Sequence, residues 1–170
     1  MEQYLAPSKI VVYGSSVKQT IEVGEALDCP IYHRSVDDRA GKARRMKELI
    51  EGKNRVISAT NALGLGVDLP DIRVVIHAGQ LQKLRDYAQE SGRAGRDCNS
   101  SEAIIVCKHI EPAQHSHRPK SWAVSKGGDI VDFVARYICR QVIMDQIMDG
   151  RIDWVRCEEE EEQCNICRRN

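Results

Sequence analysis

Aromatic side chains are scarce in this chain: one phenylalanine, five tyrosines and two tryptophans make up 5% of its 170 residues. The core is therefore expected to be aliphatic, with Phe133 as its one phenylalanine. Long apolar runs are missing too. None reaches the ~18 residues that span a bilayer, and the stretch from Met1 to Lys9 has no secretory signal pattern, so an intracellular, membrane-free protein is expected. Nor is there an excess of charge of one sign. With 25 basic and 25 acidic residues the formal net charge is zero, so any grip on a polyanion must be local.

What is present suits a globular protein: 42% hydrophobic and 29% charged residues argue against wholesale disorder. The length allows one well-buried domain and a small appendage. Seven cysteines, an odd number in a chain without secretion signals, point to thiols or metal ligands rather than disulfides.

Short β-branched runs alternate with helical patterns through the first two thirds of the chain. Lys9 to Tyr13 reads as a strand ending at Gly14-Ser15-Ser16, followed by a helix from Val17 to Leu27. Pro30 to His33 offers a second strand, and Asp37 a cap for a charged helix that closes near Gly52. Arg55–Ala59, Arg73–His77 and Ala103–Cys107 read as further strands, and Gln82–Ser91 as a helix. This alternation predicts an α/β fold with a parallel sheet flanked by helices. A polar, proline- and glycine-containing linker is expected over 109–128. Asp129 then begins a helix predicted to run to about Met148.

Two motifs carry the chemistry. Thr60-Asn-Ala-Leu-Gly-Leu-Gly-Val-Asp68 follows a strand; Gly64 and Gly66 let backbone approach a ligand, and Asp68 can accept a hydroxyl hydrogen bond. Alone it is equally a tight turn with an aspartate cap. More specific is Gln89-Glu-Ser-Gly-Arg-Ala-Gly-Arg-Asp97, which sets Arg93 and Arg96 three residues apart around small residues. Planar guanidinium groups so placed suit a transferring phosphate.

In wording, Ile57 to Arg73 resembles motif V of superfamily 2 helicases, Gln89 to Asp97 their motif VI, and Ile10 to Ser16 their motif IV. The motif VI text, with Gln89-Glu90-Ser91 before Gly92, resembles the RecQ type of DNA helicase rather than the DEAD-box RNA helicases. The resemblance implies a RecA-like second motor domain over 1–108. In it Arg93 and Arg96 face ATP bound by a first motor domain, Arg96 serves as arginine finger, Gln89, Gly66 and Asp68 contribute to the nucleotide site, and Gln89 and Asp68 link nucleotide state to domain closure. It also implies DNA as partner, movement from 3′ to 5′, and a nuclear location. Arg34-Ser35, Gln80, Gln82 and Cys98 depart from the family's usual wording.

The 170 residues hold neither the G-x-x-x-x-G-K-[ST] loop nor the acidic magnesium box that hydrolysis needs. ATP and magnesium are thus expected only together with a first motor domain, and the chain alone should not hydrolyse ATP. The alternative is a catalytically inactive zinc- and DNA-binding remnant.

Residues 129–170 hold Cys139, Cys157, Cys164 and Cys167, the last two as C-x-x-C, and the tail from Gly150 has too few apolar residues for a core of its own. Four thiolates fit tetrahedral zinc, against the plainer reading of a buried helical thiol and reduced surface thiols. A helical Cys139-Arg140 followed by a late cysteine cluster also resembles the small helical zinc-binding subdomain that follows the RecQ motor. The glutamates 158 to 162 read as a solvated loop.

Overall fold

Apolar residues in unbroken runs, rather than in alternation, mark strands buried on both faces, as parallel sheets require. The computed structural model describes residues 8–64, 69, 71–108, 130, 133–134, 139–151, 153, 155–158 and 160–169. Among these residues are five strands, β1 (Lys9–Gly14), β2 (Ile31–Tyr32), β3 (Val56–Ala59), β4 (Ile72–Ala78) and β5 (Glu102–Val106), of which β1, β3 and β4 are the buried ones and β5 is largely exposed. All pair in parallel in the order β2-β3-β1-β4-β5. Helices α1 (Val17–Ala26), α2 (Arg39–Ile50) and α3 (Leu84–Ser91) connect them.

The pleat divides the core. Val11 and Tyr13 of β1 point into a cluster with Met46 and Leu49 of α2, Ile57, Leu63, Leu69, Ile72 and Val75. Their neighbours Ile10 and Val12 join Val74, with Val23 of α1 packed against them. Ile57 is fully buried in the sheet whereas Ile104 of β5 is 39% exposed. Ile57→Ala should therefore cost about 2–5 kcal/mol and Ile104→Ala under about 1 kcal/mol, as read by denaturant unfolding.

Helix boundaries follow local chemistry, with two corrections to expectation. The cap of α2 is Asp38, not Asp37: the Asp38 side chain accepts from the Gly41 N–H at 2.7 Å, while Asp37 takes the Arg45 Nε–H at 2.5 Å. Adjacent carboxylates compete for the cap, and the one with extended backbone, at ψ −178°, holds it. The helix predicted through Cys139 is also interrupted. Cys139 has φ −48° and ψ 129° and stands as N-cap of α4 (Arg140–Met148).

The chain divides into two compact units, one of Met1–Leu81 with Asp86–Cys107 and one of Gln82–Arg85 with Lys108–Asn170. The expected linker, 109–128, and the expected helix start at Asp129 lie outside the described residues. No helix among the described residues is long and apolar enough to cross a membrane.

Candidate functional site

In the first unit the arginine motif lies along β4. Glu90 and Ser91, ending α3, meet His77 near the far end of the strand: Nδ1 is 3.2 Å from Glu90 Oε2 and Nε2 is 3.1 Å from Ser91 Oγ. Past this point the chain turns through Gly92, and the Gly95 N–H reaches the Ile72 carbonyl at 3.1 Å, at the start of the same strand. Arg73 and Asp97 form an ion pair there. Hydrogen bonds from the Asn99 side chain and then from Arg73 draw the Asp97 carboxyl down to about 2. Gly95 is required at its place, because φ is +71° and a Cβ would lie 2.7 Å from Ser101 Oγ.

Between these anchors sit Arg93, half-buried, and Arg96, exposed, while Gln89 is exposed on α3. Both arginines lie near the end of β1. Burial pushes the Tyr13 hydroxyl well above its usual range; Arg93 opposes that, Glu90 adds to it and Arg96 opposes it. Ala94, between the arginines, packs on the cluster that contains Leu63 and Leu69, so the second glycine-bearing motif and the arginine motif share one core. Thr60 opens that second motif by accepting the Leu63 N–H at 3.1 Å. Gly66 and Asp68 lie outside the described residues.

Sequence reading missed the aromatic stack at the end of β1 and β4. The Tyr13 and His77 rings stack at 5.7 Å, and His77 and Tyr87 meet tilted at 4.7 Å. A histidine closing an apolar strand was the one local signal of it.

The second unit gathers the four cysteines expected to bind metal. Sγ atoms of Cys139, Cys157, Cys164 and Cys167 all lie within 4.8 Å of one another. Cys139 Sγ is 3.5 Å from Cys157 Sγ and 3.8 Å from Cys164 Sγ. Disulfide sulphurs would be ~2.0 Å apart, whereas tetrahedral zinc with ~2.3 Å bonds spaces its sulphurs at ~3.8 Å. Donor set and spacing thus fit a zinc-like ion.

Burial pushes the Cys139 thiol up to about 12 and raises Cys157 as well. Burial also acts upward on Cys164, but backbone N–H groups of Cys167, Arg140 and Ile166 outweigh it and bring this thiol down to about 6. The guanidinium of Arg140 lies 4.9 Å above the Phe133 ring, tying the cysteine-bearing turn to a buried aromatic. Glu158, Glu160, Glu161 and Glu162 are exposed, as a solvated loop requires.

Comparison with known proteins bears on both the motifs and the sheet. The model of the helicase conserved C-terminal domain matches residues 4–98, which include all five residues from Arg93 to Asp97. The chain belongs to this helicase family. It is 28% identical over 84% of its length to a RecQ-like DNA helicase of Caenorhabditis elegans, and covers 15% of that protein. It is also 28% identical over 93% of its length to a putative ATP-dependent RNA helicase of Acanthamoeba polyphaga mimivirus, of which it covers 30%. The chain thus spans less than a third of either relative.

RecQ-type helicases recur among the relatives, including that of Bacillus subtilis, so this helicase C-terminal domain is of the RecQ type. Its fold matches the E. coli DEAD-box protein SrmB, solved bound to regulator of ribonuclease activity A, with a TM-score of 0.55 and 20% identity. That match covers 62% of this chain and 65% of the SrmB chain in that structure, and bears out the RecA-like parallel sheet.

Proposed function

We propose that this chain is the second motor domain of an ATP-dependent DNA helicase moving 3′ to 5′, acting in the nucleus. The supporting observation is the suspension of Arg93 and Arg96 between two anchors on β4. A turn tied to a strand on both sides of its arginines is ordered before a phosphate arrives, and orientation is most of what phosphoryl transfer asks of a protein.

In this reading a first motor domain of RecQ type holds ATP and magnesium, and Arg93 and Arg96 close on the phosphates. Arg96 is the finger; Gln89, Gly66 and Asp68 couple the nucleotide to closure on the DNA backbone. The division of labour along the chain is a motor domain over 1–108, a linker over 109–128 and a cysteine-rich subdomain over 129–170. Zinc held by Cys139, Cys157, Cys164 and Cys167 would supply the cross-link that orders the tail after Gly150, which is short of apolar residues. Those thiolates bind it, and the N–H groups of Arg140, Ile166 and Cys167 support them.

The test is a fusion with a RecQ-type first motor domain placed before Ile10. The chain by itself is expected to hydrolyse no ATP, and the fusion to hydrolyse it with stimulation by single-stranded DNA. Hydrolysis by the isolated chain would refute the split site. A folded fusion that binds ATP but stays inactive on DNA would favour a zinc- and DNA-binding module without ATPase activity.

A further inference from the structure

His77 has no part in the phosphate chemistry, yet it is 3% exposed and uses both ring nitrogens on consecutive residues of the arginine motif. Its Nδ1 faces the Glu90 carboxylate at 3.2 Å and its Nε2 the Ser91 hydroxyl at 3.1 Å. The neutral ring satisfies both, donating from Nδ1 to Glu90 and accepting at Nε2 from Ser91. The ring is itself held between Tyr13 and Tyr87. Glu90 acts on the Tyr13 hydroxyl in company with Arg93 and Arg96, so its carboxylate belongs to the same electrostatic group as the two cations. The main chain leaves α3 just after these contacts, where the Arg93 N–H reaches the Glu90 carbonyl at 3.3 Å.

The geometry points to His77 as a positioning residue for the arginine motif: by holding Glu90 it fixes the turn from which Arg93 and Arg96 extend. The inference rests on the proposed phosphate-facing role of these arginines and adds the group that orients them. A network inside the protein orients its members strongly because few waters compete for its bonds. Loosening it leaves the arginines in place but imprecise, and imprecision at a transferring phosphate lowers turnover rather than nucleotide binding.

Two near-isosteric substitutions separate the contacts. An asparagine amide nitrogen takes the place of Nδ1 and can still donate to Glu90. A glutamine amide reaches the place of Nε2, keeping a partner for Ser91 while losing Glu90. In the fusion with a first motor domain, His77→Gln is expected to lower kcat about tenfold or more with KM for ATP within about twofold of the parent. His77→Asn should return kcat to within about threefold of the parent. Glu90→Gln should mimic His77→Gln, and the double variant should be no worse than the poorer single one, because both break the same link.

Arg96→Ala serves as the reference arm. If it is inactive while His77→Gln turns over like the parent, the positioning role is wrong and the arginine reading stands. Equal losses for His77→Asn and His77→Gln would likewise overturn the inference, showing a packing role alone. An Arg96→Ala fusion as active as the parent would overturn the arginine reading itself, and this inference with it.

Discussion

Arg96→Ala in the two-domain fusion is expected to abolish most DNA-stimulated ATP hydrolysis, a loss on the order of 10³-fold or more, since arginine fingers contribute that much to phosphoryl transfer. The exposure of Arg96 makes the change informative, because removing an exposed side chain at a turn costs the fold little. Its neighbours stay tied down: Gly95 to Ile72 through the backbone, and Asp97 to Arg73 through an ion pair. Arg96→Lys should fail as well, because a single flexible ammonium does not reproduce the planar fork of a guanidinium. Nucleotide binding should survive both substitutions, the first motor domain providing most of the grip. Equilibrium binding of a fluorescent ATP analogue measured beside steady-state hydrolysis separates these effects. An Arg96→Ala fusion as active as its parent would show that the motif has another task.

The purified chain is expected to carry about one zinc ion, and Cys164→Ser to lose most of it, because tetrahedral sites need all four ligands. Cys164 is the informative position. Its thiol is the one brought down to about 6 against the pull of burial, by N–H groups of Cys167, Arg140 and Ile166, so the fold already favours its anion. Cys139 and Cys157, pushed up by burial, need the cation itself to ionise. Chelation should therefore release protease-sensitive sites after Cys139 and leave the residues before Cys107 protected. Metal analysis by mass spectrometry, with limited digestion before and after chelator, reads both outcomes. Absence of zinc after expression in zinc-replete medium would return the four cysteines to plain buried and surface thiols.

The sheet could be anticipated because strand signals are short-range. Lys9–Tyr13, Arg55–Ala59 and Arg73–His77 each announce themselves within five residues, and the structure shifts their ends by no more than one residue. The arginine motif is legible for the same reason, since its chemistry lies in nine consecutive residues. Where two nearby residues compete for one local role, sequence is a weaker guide. Asp37 and Asp38 are equally good caps on paper, and only the backbone turn into α2 chooses between them. The apolar spacing that suggested a helix through Cys139 carries no information about where four sulphurs must converge, and there the helix gives way.

Partners distant along the chain are a matter of tertiary structure alone. Nothing in the order of residues says that His77 meets Glu90, thirteen positions later, because that contact exists only once α3 folds back over β4. Spacings of seventeen, six and two residues between the four cysteines suggest a metal site, but loop closure over such lengths can bring together many pairs at similar entropic cost. Their approach to within 4.8 Å is decided by the packing of α4 and its N-terminal turn. Local order along the chain thus specifies strands, turns and the phosphate-directed text. The sulphur cage and the histidine behind the arginines arise from long-range packing, whose energy no single segment contains.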